Sequence, residues 1–336
     1  MKNLIDPALN QYKANLHCHS VYSDGKLTPE QLKDAYKSHG YSVLCISDHE
    51  HLIPHNDLTD EDFLMLTGYE VYIRKLPHDN LHNDQIHFNL FARDKNEDRL
   101  VYFTPEITKY IPKEQFPDVK YFKFVEHRRY EADFINEMVD YAKKCGFIAQ
   151  YNHPVWSFEN ESDILSYEGF FAMEWCNYGC VVEGFNEFNE VYYETNLRAG
   201  RNWALTGGDD NHNRHPFGDP HCDSFGAFTY ILADKLDYDT VFSALENQNF
   251  YASTGPRIYS LVSDKGTLRV KTSNARKIVF STDTRHRKTE IANDGETVNE
   301  AEFVFGDQTS WVRVEVIDEK GNKAVSRAYY KDEVID

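Results

Sequence analysis

The sequence predicts an α/β protein carrying a small all-β domain at its C-terminal end. Three observations predict it. Seven short apolar runs, several rich in β-branched or aromatic residues, alternate with helical stretches over residues 1–255. A fully signalled helix separates the first two runs. After Thr254-Gly255-Pro256 the pattern changes to period-two alternation with no helices between the runs. Strand–helix alternation implies a parallel sheet, open or closed into a barrel.

The expected strands are Ala14–His17, Val43–Ser47, Phe63–Thr67, Ile86–Phe91, Phe147–Gln150, Phe170–Trp175 and Trp203–Thr206. In the first helix Thr28 is the cap, Pro29 suits the first turn, Gln31 completes a Thr-x-x-Gln capping box and Gly40 ends it. Leu32, Ala35 and Tyr36 form its inward stripe. Further helices are expected at Glu131–Lys144 and Glu187–Ala199. A charged, aromatic-rich insertion at about 93–130 interrupts the alternation, as a pocket wall, a lid or a surface excursion. In the last part, Leu268, Val270, Val312, Val314 and Val316 alternate with Arg269, Arg313 and Glu315, and Asp318–Asn322 reads as a turn. A small all-β domain is therefore expected at 256–336.

With 55 acidic and 36 basic residues the formal charge is −19, which disfavours a long grip on a nucleic acid backbone. The first residues lack an apolar signal region and no run of 18 apolar residues occurs, so a soluble protein of the cytoplasm is expected. Six cysteines without a C-x-x-C pair argue against a disulfide framework. Cys176 and Cys180 are a conceivable thiolate pair, but nothing complements them, and burial as small apolar residues is the preferred reading.

His17-Cys18-His19 begins the chemistry. Residues i and i+2 of a strand point the same way, so two imidazoles can grip one ion, with Asp24 of Ser23-Asp24-Gly25 in the loop just beyond. Alone, an H-x-H is as readily a pair of hydrogen-bonded core histidines. The remaining candidates change that balance. Asp48-His49, Glu70, His153 and Asp210-Asn211-His212 each follow an expected strand, and His87 sits in the fourth. The C-terminal edge of a parallel sheet is where α/β active sites assemble. Imidazole and carboxylate donors without thiolate suit Zn, Mn or Fe. Nine ligands are too many for one ion. Two to three divalent transition metal ions with a bridging carboxylate accommodate them, and a bridging water losing its proton near neutral pH would be the nucleophile.

His17-x-His19, Ser23-Asp24-Gly25, Ser47-Asp48-His49, Glu70, His87, Asn152-His153-Pro154 and Asp210-x-His212 together resemble the PHP (polymerase and histidinol phosphatase) metallohydrolases over roughly residues 14–255. The resemblance implies a distorted (β/α)7 barrel with a trinuclear site. It groups His17, His19, Glu70 and Asp210 around one metal, Glu70, His87 and His153 around a second, and Asp24, His49 and His212 around a third. Glu70 would bridge, and His17, Glu70, Asp210 and His212 would carry catalysis. Asp209 is left to a supporting or surface place. The β domain after the Thr-Gly-Pro-Arg junction is similar to the branch that includes carbaryl hydrolase.

Phosphate recognition would need cations near the metals. Arg214 and His215 are best placed, with Arg257 and Arg74 weaker. Each is also readable as a solvated arginine or loop residue. His51, His55, His78 and His82 read as surface-loop histidines, and Trp156 and Trp175 as pocket or core residues. The leading expectation is a phosphoesterase acting on a small or nucleotide-like phosphomonoester or phosphodiester. A carboxyl or carbamate ester hydrolase with the same metals, a 5'-3' exonuclease-like enzyme and a non-enzymatic binding module are the alternatives.

Overall fold

A computed structural model describes residues 1–75 and 84–335 of the chain. All seven expected strands are present, displaced at most by a few residues. The chain opens with β1 (Lys2–Ile5) and β2 (Asn10–Asn15), and the helix Pro29–Ser38 follows. Both halves of its capping box form: Thr28 accepts from the Gln31 N–H and the Gln31 side chain accepts from the Thr28 N–H. Pro29, Leu32 and Tyr36 are its buried face. Next come β3 (Val43–Ile46), β4 (Leu64–Arg74) and β5 (Gln85–Ala92), then β6 (Leu100–Phe103) and β7 (Tyr121–Phe124) within the insertion. Helix Ala132–Lys144 precedes β8 (Phe147–Tyr151), β9 (Ala172–Asn177), helix Glu190–Arg198 and β10 (Ala204–Gly208).

Strand β4 runs well beyond the expected Thr67. Glycine ordinarily punctuates a strand, but Gly68 is here because a Cβ would lie 2.8 Å from both the Cys45 sulfur and the Leu90 carbonyl oxygen. The extension carries Glu70 inside the sheet. It also corrects the expectation of an all-parallel sheet. Strand β5 runs antiparallel to both β4 and β8, while β2–β3–β4 and β8–β9–β10 are parallel. His87 lies near the start of β5, so reversal brings it to the rim where the parallel strands end.

The order β10-β9-β8-β5-β4-β3-β2 then continues through β11 (Phe228–Ala233) and β12 (Phe250–Ser253). The far end of β10 returns to the end of β2: the Asp210 N–H donates to the His17 carbonyl at 2.9 Å and the His19 N–H donates to the Asn211 carbonyl at 3.1 Å.

Among the described residues beyond 256, every regular element is a strand except the helix Lys331–Val334. Strands β13 (Ile258–Asp264), β14 (Thr267–Ala275), β15 (Lys277–Thr282), β16 (Lys288–Ile291), β17 (Val298–Val304), β18 (Trp311–Ile317), β19 (Lys323–Ser326) and β20 (Tyr329–Tyr330) complete it. Strand β19 pairs with β12, so the large sheet passes from the first part of the chain into the last. Strands β13, β14 and β17 form a second sheet with β1 at its edge, and Ile5, Leu261, Val270, Phe280 and Val314 share one apolar cluster between the layers. No helix among the described residues is long and apolar enough to cross a membrane.

Two ionisable side chains, Arg128 and Glu159, are buried. Arg128, from the end of the insertion, is 6% exposed and chelates Glu50 at 2.6 and 2.8 Å while donating to the Tyr72 and Tyr102 carbonyls. Removing one partner strands the other charge, so Arg128→Met should cost about 3–5 kcal/mol in urea unfolding. The double variant with Glu50→Gln should recover part of that loss.

Glu159, wholly buried, accepts from the hydroxyls of Tyr130, Tyr151 and Tyr167. Burial, partly offset by those hydroxyls, raises its pKa from 4.5 to about 7. The folded state therefore keeps a proton that the unfolded state releases. Stability from this group is complete below the unfolded pKa and is lost as pH rises through 7, by about 3 kcal/mol in all. Glu159→Gln should flatten that part of the urea midpoint's dependence on pH, and an unaltered slope would refute the assignment.

Candidate metal centre

The nine expected ligands meet at one rim, and the carboxylates Glu70 and Asp210 lie at the middle. Glu70, fully buried, faces five imidazoles. His17 Nε2, His153 Nε2 and His87 Nδ1 lie 3.2, 3.2 and 3.0 Å from its Oε1, and His49 Nδ1 and His19 Nε2 lie 2.9 and 3.3 Å from its Oε2. Asp210 Oδ1 lies 2.9 Å from His19 Nε2 and 3.2 Å from His17 Nε2. Asp24 lies to one side, its Oδ1 3.3 Å from His212 Nε2 and 3.7 Å from His49 Nε2.

These contacts allow three convergent sets: His17, His19, Glu70 and Asp210; His19, Asp24, His49 and His212; and His49, Glu70 and His87. The first is the set the resemblance implied. His49 borders two sets because its two ring nitrogens face different carboxylates. His153 faces Glu70 and, at 3.7 Å, Asp210 Oδ2.

Whether cations suit this arrangement can be read from the polar atoms. His17 Nε2, His19 Nε2, Asp24 Oδ1, His49 Nδ1 and Glu70 Oε2 are buried and make no hydrogen bond, although they crowd within a few ångströms of one another. Buried donors and acceptors left unsatisfied cost about 1–3 kcal/mol each. Lone pairs converging on one space fit a shared cation. Electrostatics agree: burial opposes ionisation of Glu70 and Asp210, but the surrounding imidazoles outweigh it and hold both carboxyls well below their usual range. Burial drives His87 down to about 4, leaving a neutral ring with a lone pair to offer.

Backbone and neighbours set these directions. Gly208 admits the centre: a Cβ there would meet Glu174 Oε1 at 2.7 Å and the His17 Cβ at 3.0 Å. Asp210 itself takes a left-handed backbone, φ 50°, which an aspartate tolerates and which turns its carboxylate inward. Asp48 accepts from the Ser20 N–H and from the Ser20 and Ser23 hydroxyls, fixing the loop that presents Asp24. Asp209 is buried, taking the Tyr36 hydroxyl and the N–H groups of Phe225, Gly226 and Ala227.

Among neighbours of the centre, Glu174, Asn177 and Tyr110 escaped the sequence reading, and Asn152 entered it only within the Asn152-His153-Pro154 motif. Glu174 Oε1 lies 2.8 Å from His17 Nδ1, and Asn177 donates to both Glu174 and Asp210. Asn152 donates to Glu70 at 3.0 Å, and Tyr110 of the insertion donates to Asp24 Oδ2 at 3.0 Å. The signal for Glu174 was present: in β9 it alternates with Trp175, so one face meets His17 while Trp175 packs against Phe188 in the core. That alternation excludes Trp175 from the pocket. Trp156 does line it, its ring edge-on to His87 and His153.

A cavity of about 850 Å³ opens over the centre, lined among others by Trp156, Tyr72, Lys109, Tyr110, Arg214 and His215. Arg74 also lines it. Arg257 does not reach it. Its guanidinium stacks over Tyr230 and contacts Gln11, six positions before His17 and so about 20 Å down an extended β2 segment. His51 and His55 gather around Tyr22 away from the cavity wall, and His78 and His82 lie outside the described residues. Cys176 and Cys180 are buried, and burial holds both thiols well above their ordinary pKa, against a thiolate role.

Glu174 sets the tautomer that leaves His17 Nε2 free to bind. Glu174→Gln should weaken Zn²⁺ binding by ~10–100-fold in competition with a chromophoric chelator, without unfolding the chain. Unchanged affinity would remove that role.

A two-domain protein from Bacteroides vulgatus containing a predicted PHP-like metal-dependent phosphoesterase is similar over 96% of both chains, at 15% identity and TM-score 0.48. A candidate metal-dependent phosphoesterase from Bifidobacterium adolescentis is similar over 62% of this chain and 91% of its own, at 17% identity and TM-score 0.37. An amidohydrolase from Chromobacterium violaceum, with bound sulfate and no metal, is similar over 70% of this chain and 96% of its own, at 15% identity and TM-score 0.39. No curated protein matches the chain. Asp210 and His212 lie past the segment 15–194 that matches the PHP domain, but that segment is more than half of the chain and holds the other seven ligands, so the chain belongs to the PHP domain family.

Proposed function

We propose that this chain is a metal-dependent hydrolase of small phosphate esters, built on a distorted (β/α)7 barrel at 1–255 with a sandwich-like β domain at 256–336. The observation that carries the reading is the convergence of buried, unbonded nitrogen and oxygen atoms about Glu70 and Asp210. His17, His19, Glu70 and Asp210 would hold one divalent ion, with Glu70, His87 and His153 and then Asp24, His49 and His212 serving two more. Bound there, Zn, Mn or Fe would polarise an ester oxygen and make water acidic enough to act as a nucleophile at neutral pH.

The chain's own residues supply orientation and selection. Glu174 and Asn177 lock His17 and Asp210, and Asn152 anchors Glu70. Arg214 and Lys109, both lining the cavity, offer positive charge to a phosphoryl group. Trp156 and Tyr110 give the leaving group an aromatic wall. The cavity admits a small ester, and the net charge of −19 argues against a polymer of phosphates.

Protein purified without chelators should contain two to three equivalents of transition metal and hydrolyse a generic aryl phosphate. Chelation should abolish the turnover, and metal should restore it. Asp210→Ala should lower it by more than the ~100-fold typical of a ligand's outer partners. Turnover of an aryl acetate but not the phosphate would transfer the reading to carboxyl or carbamate esters. Metal content and activity both unaffected by Asp210→Ala and His153→Ala would favour a binding module.

A further inference from the structure

Between the last deep ligand, His212, and β11 the chain makes a loop of which the proposed reaction uses only Arg214. Within it, His215, Asp219 and His221 bring one ligand atom each within 4.8 Å of one another. His221 Nδ1 lies 3.2 Å from Asp219 Oδ1, close to the spacing of two ligands on a tetrahedral ion, and the His215 and His221 rings lie 5.3 Å apart. Both histidines line the mouth of the same cavity.

The arrangement is held in place before any ligand arrives. The Asp219 N–H donates to the Pro216 carbonyl, the Cys222 N–H donates to the Asp219 carbonyl, and the His221 N–H donates to Asp219 Oδ1. Cys222 is buried, and the next residue, Asp223, accepts from the N–H groups of His212 and Asn213. The loop is thus pinned at both ends, one of them to a deep ligand. Mutual placement of three donors costs less chain entropy on binding when the turns already exist.

We propose that His215, Asp219 and His221 form a separate transition-metal site at the mouth of the cavity, of His₂Asp chemistry and suited to Zn²⁺. Three protein ligands leave a coordination position open, the pattern of sites that take water or an anionic group of a ligand. Its exposure makes the ion exchangeable, in contrast to the buried centre. Because the loop is tied to His212 through Asp223, an ion here also stiffens one wall of the deep centre. The site is independent of the phosphoesterase reading, since none of its three ligands is among the nine.

Equilibrium dialysis against micromolar free Zn²⁺ tests it. Wild-type chain should bind one equivalent more than the His215→Ala/His221→Ala double variant, and Asp219→Asn should lose the same equivalent or bind it more weakly. Equal stoichiometry in wild type and double variant would overturn the proposal, whatever the deep centre holds. As a check needing no variant, Cu²⁺ added to zinc-loaded wild-type chain should show an electron paramagnetic resonance spectrum with two imidazole nitrogens. A spectrum without nitrogen ligands would equally overturn it.

Discussion

Glu70 is the constraint around which the first part of this protein is organised. A carboxylate with no exposed surface, faced by five imidazoles, is expensive to bury unless every charge nearby has a compensating partner. The compensation is distributed. Asn152 gives it one hydrogen bond, while its second oxygen lies among histidine nitrogens without one. Such a group destabilises a fold that has nothing to place between the lone pairs, and a cation there turns the same cluster into a source of stability.

The sheet is bent to serve that convergence. Gly68 lets β4 lie close against Cys45 of β3 and Leu90 of β5, and Gly208 lets β10 approach His17 and Glu174. The reversal of β5 then returns His87 to the same rim as ligands borne on parallel strands. Around the rim, fixed dipoles and carboxylates do the aligning: Asp48 holds the loop of Asp24, Glu174 turns His17, and Tyr110 reaches from the insertion to Asp24. The insertion is thereby part of the cavity, tied back to the sheet by the Arg128–Glu50 pair next to His49.

Much of this was legible in the residues alone, because periodicity and order survive in one dimension. Apolar runs located the strands, Thr28 and Gln31 announced their helix, and the ordered His, Asp and Glu motifs named nine ligands that do share one rim. What escaped has identifiable causes. Glycine has two opposite uses, so Gly68 read as the end of a strand although it allows the strand to continue. Arg257 follows a conspicuous junction, yet its distance from the cavity depends on the direction of β2 and β12. Glu174 carries no motif, since its partner is 157 residues away.

Sequence by itself determined the alternation of strand and helix, the predominance of strands after residue 256, and which His, Asp and Glu side chains gather at the rim, for these depend on local spacing and side-chain type. Tertiary structure alone decided the antiparallel course of β5, the continuous pairing of β12 with β19, which nitrogen of each imidazole faces which oxygen, and that His215, Asp219 and His221 share the cavity mouth. The physical reason is that such relations come from strands distant in sequence ending at one rim. That convergence brings residues far apart in the chain to within 3 Å, a distance at which hydrogen bonding and charge interactions are settled.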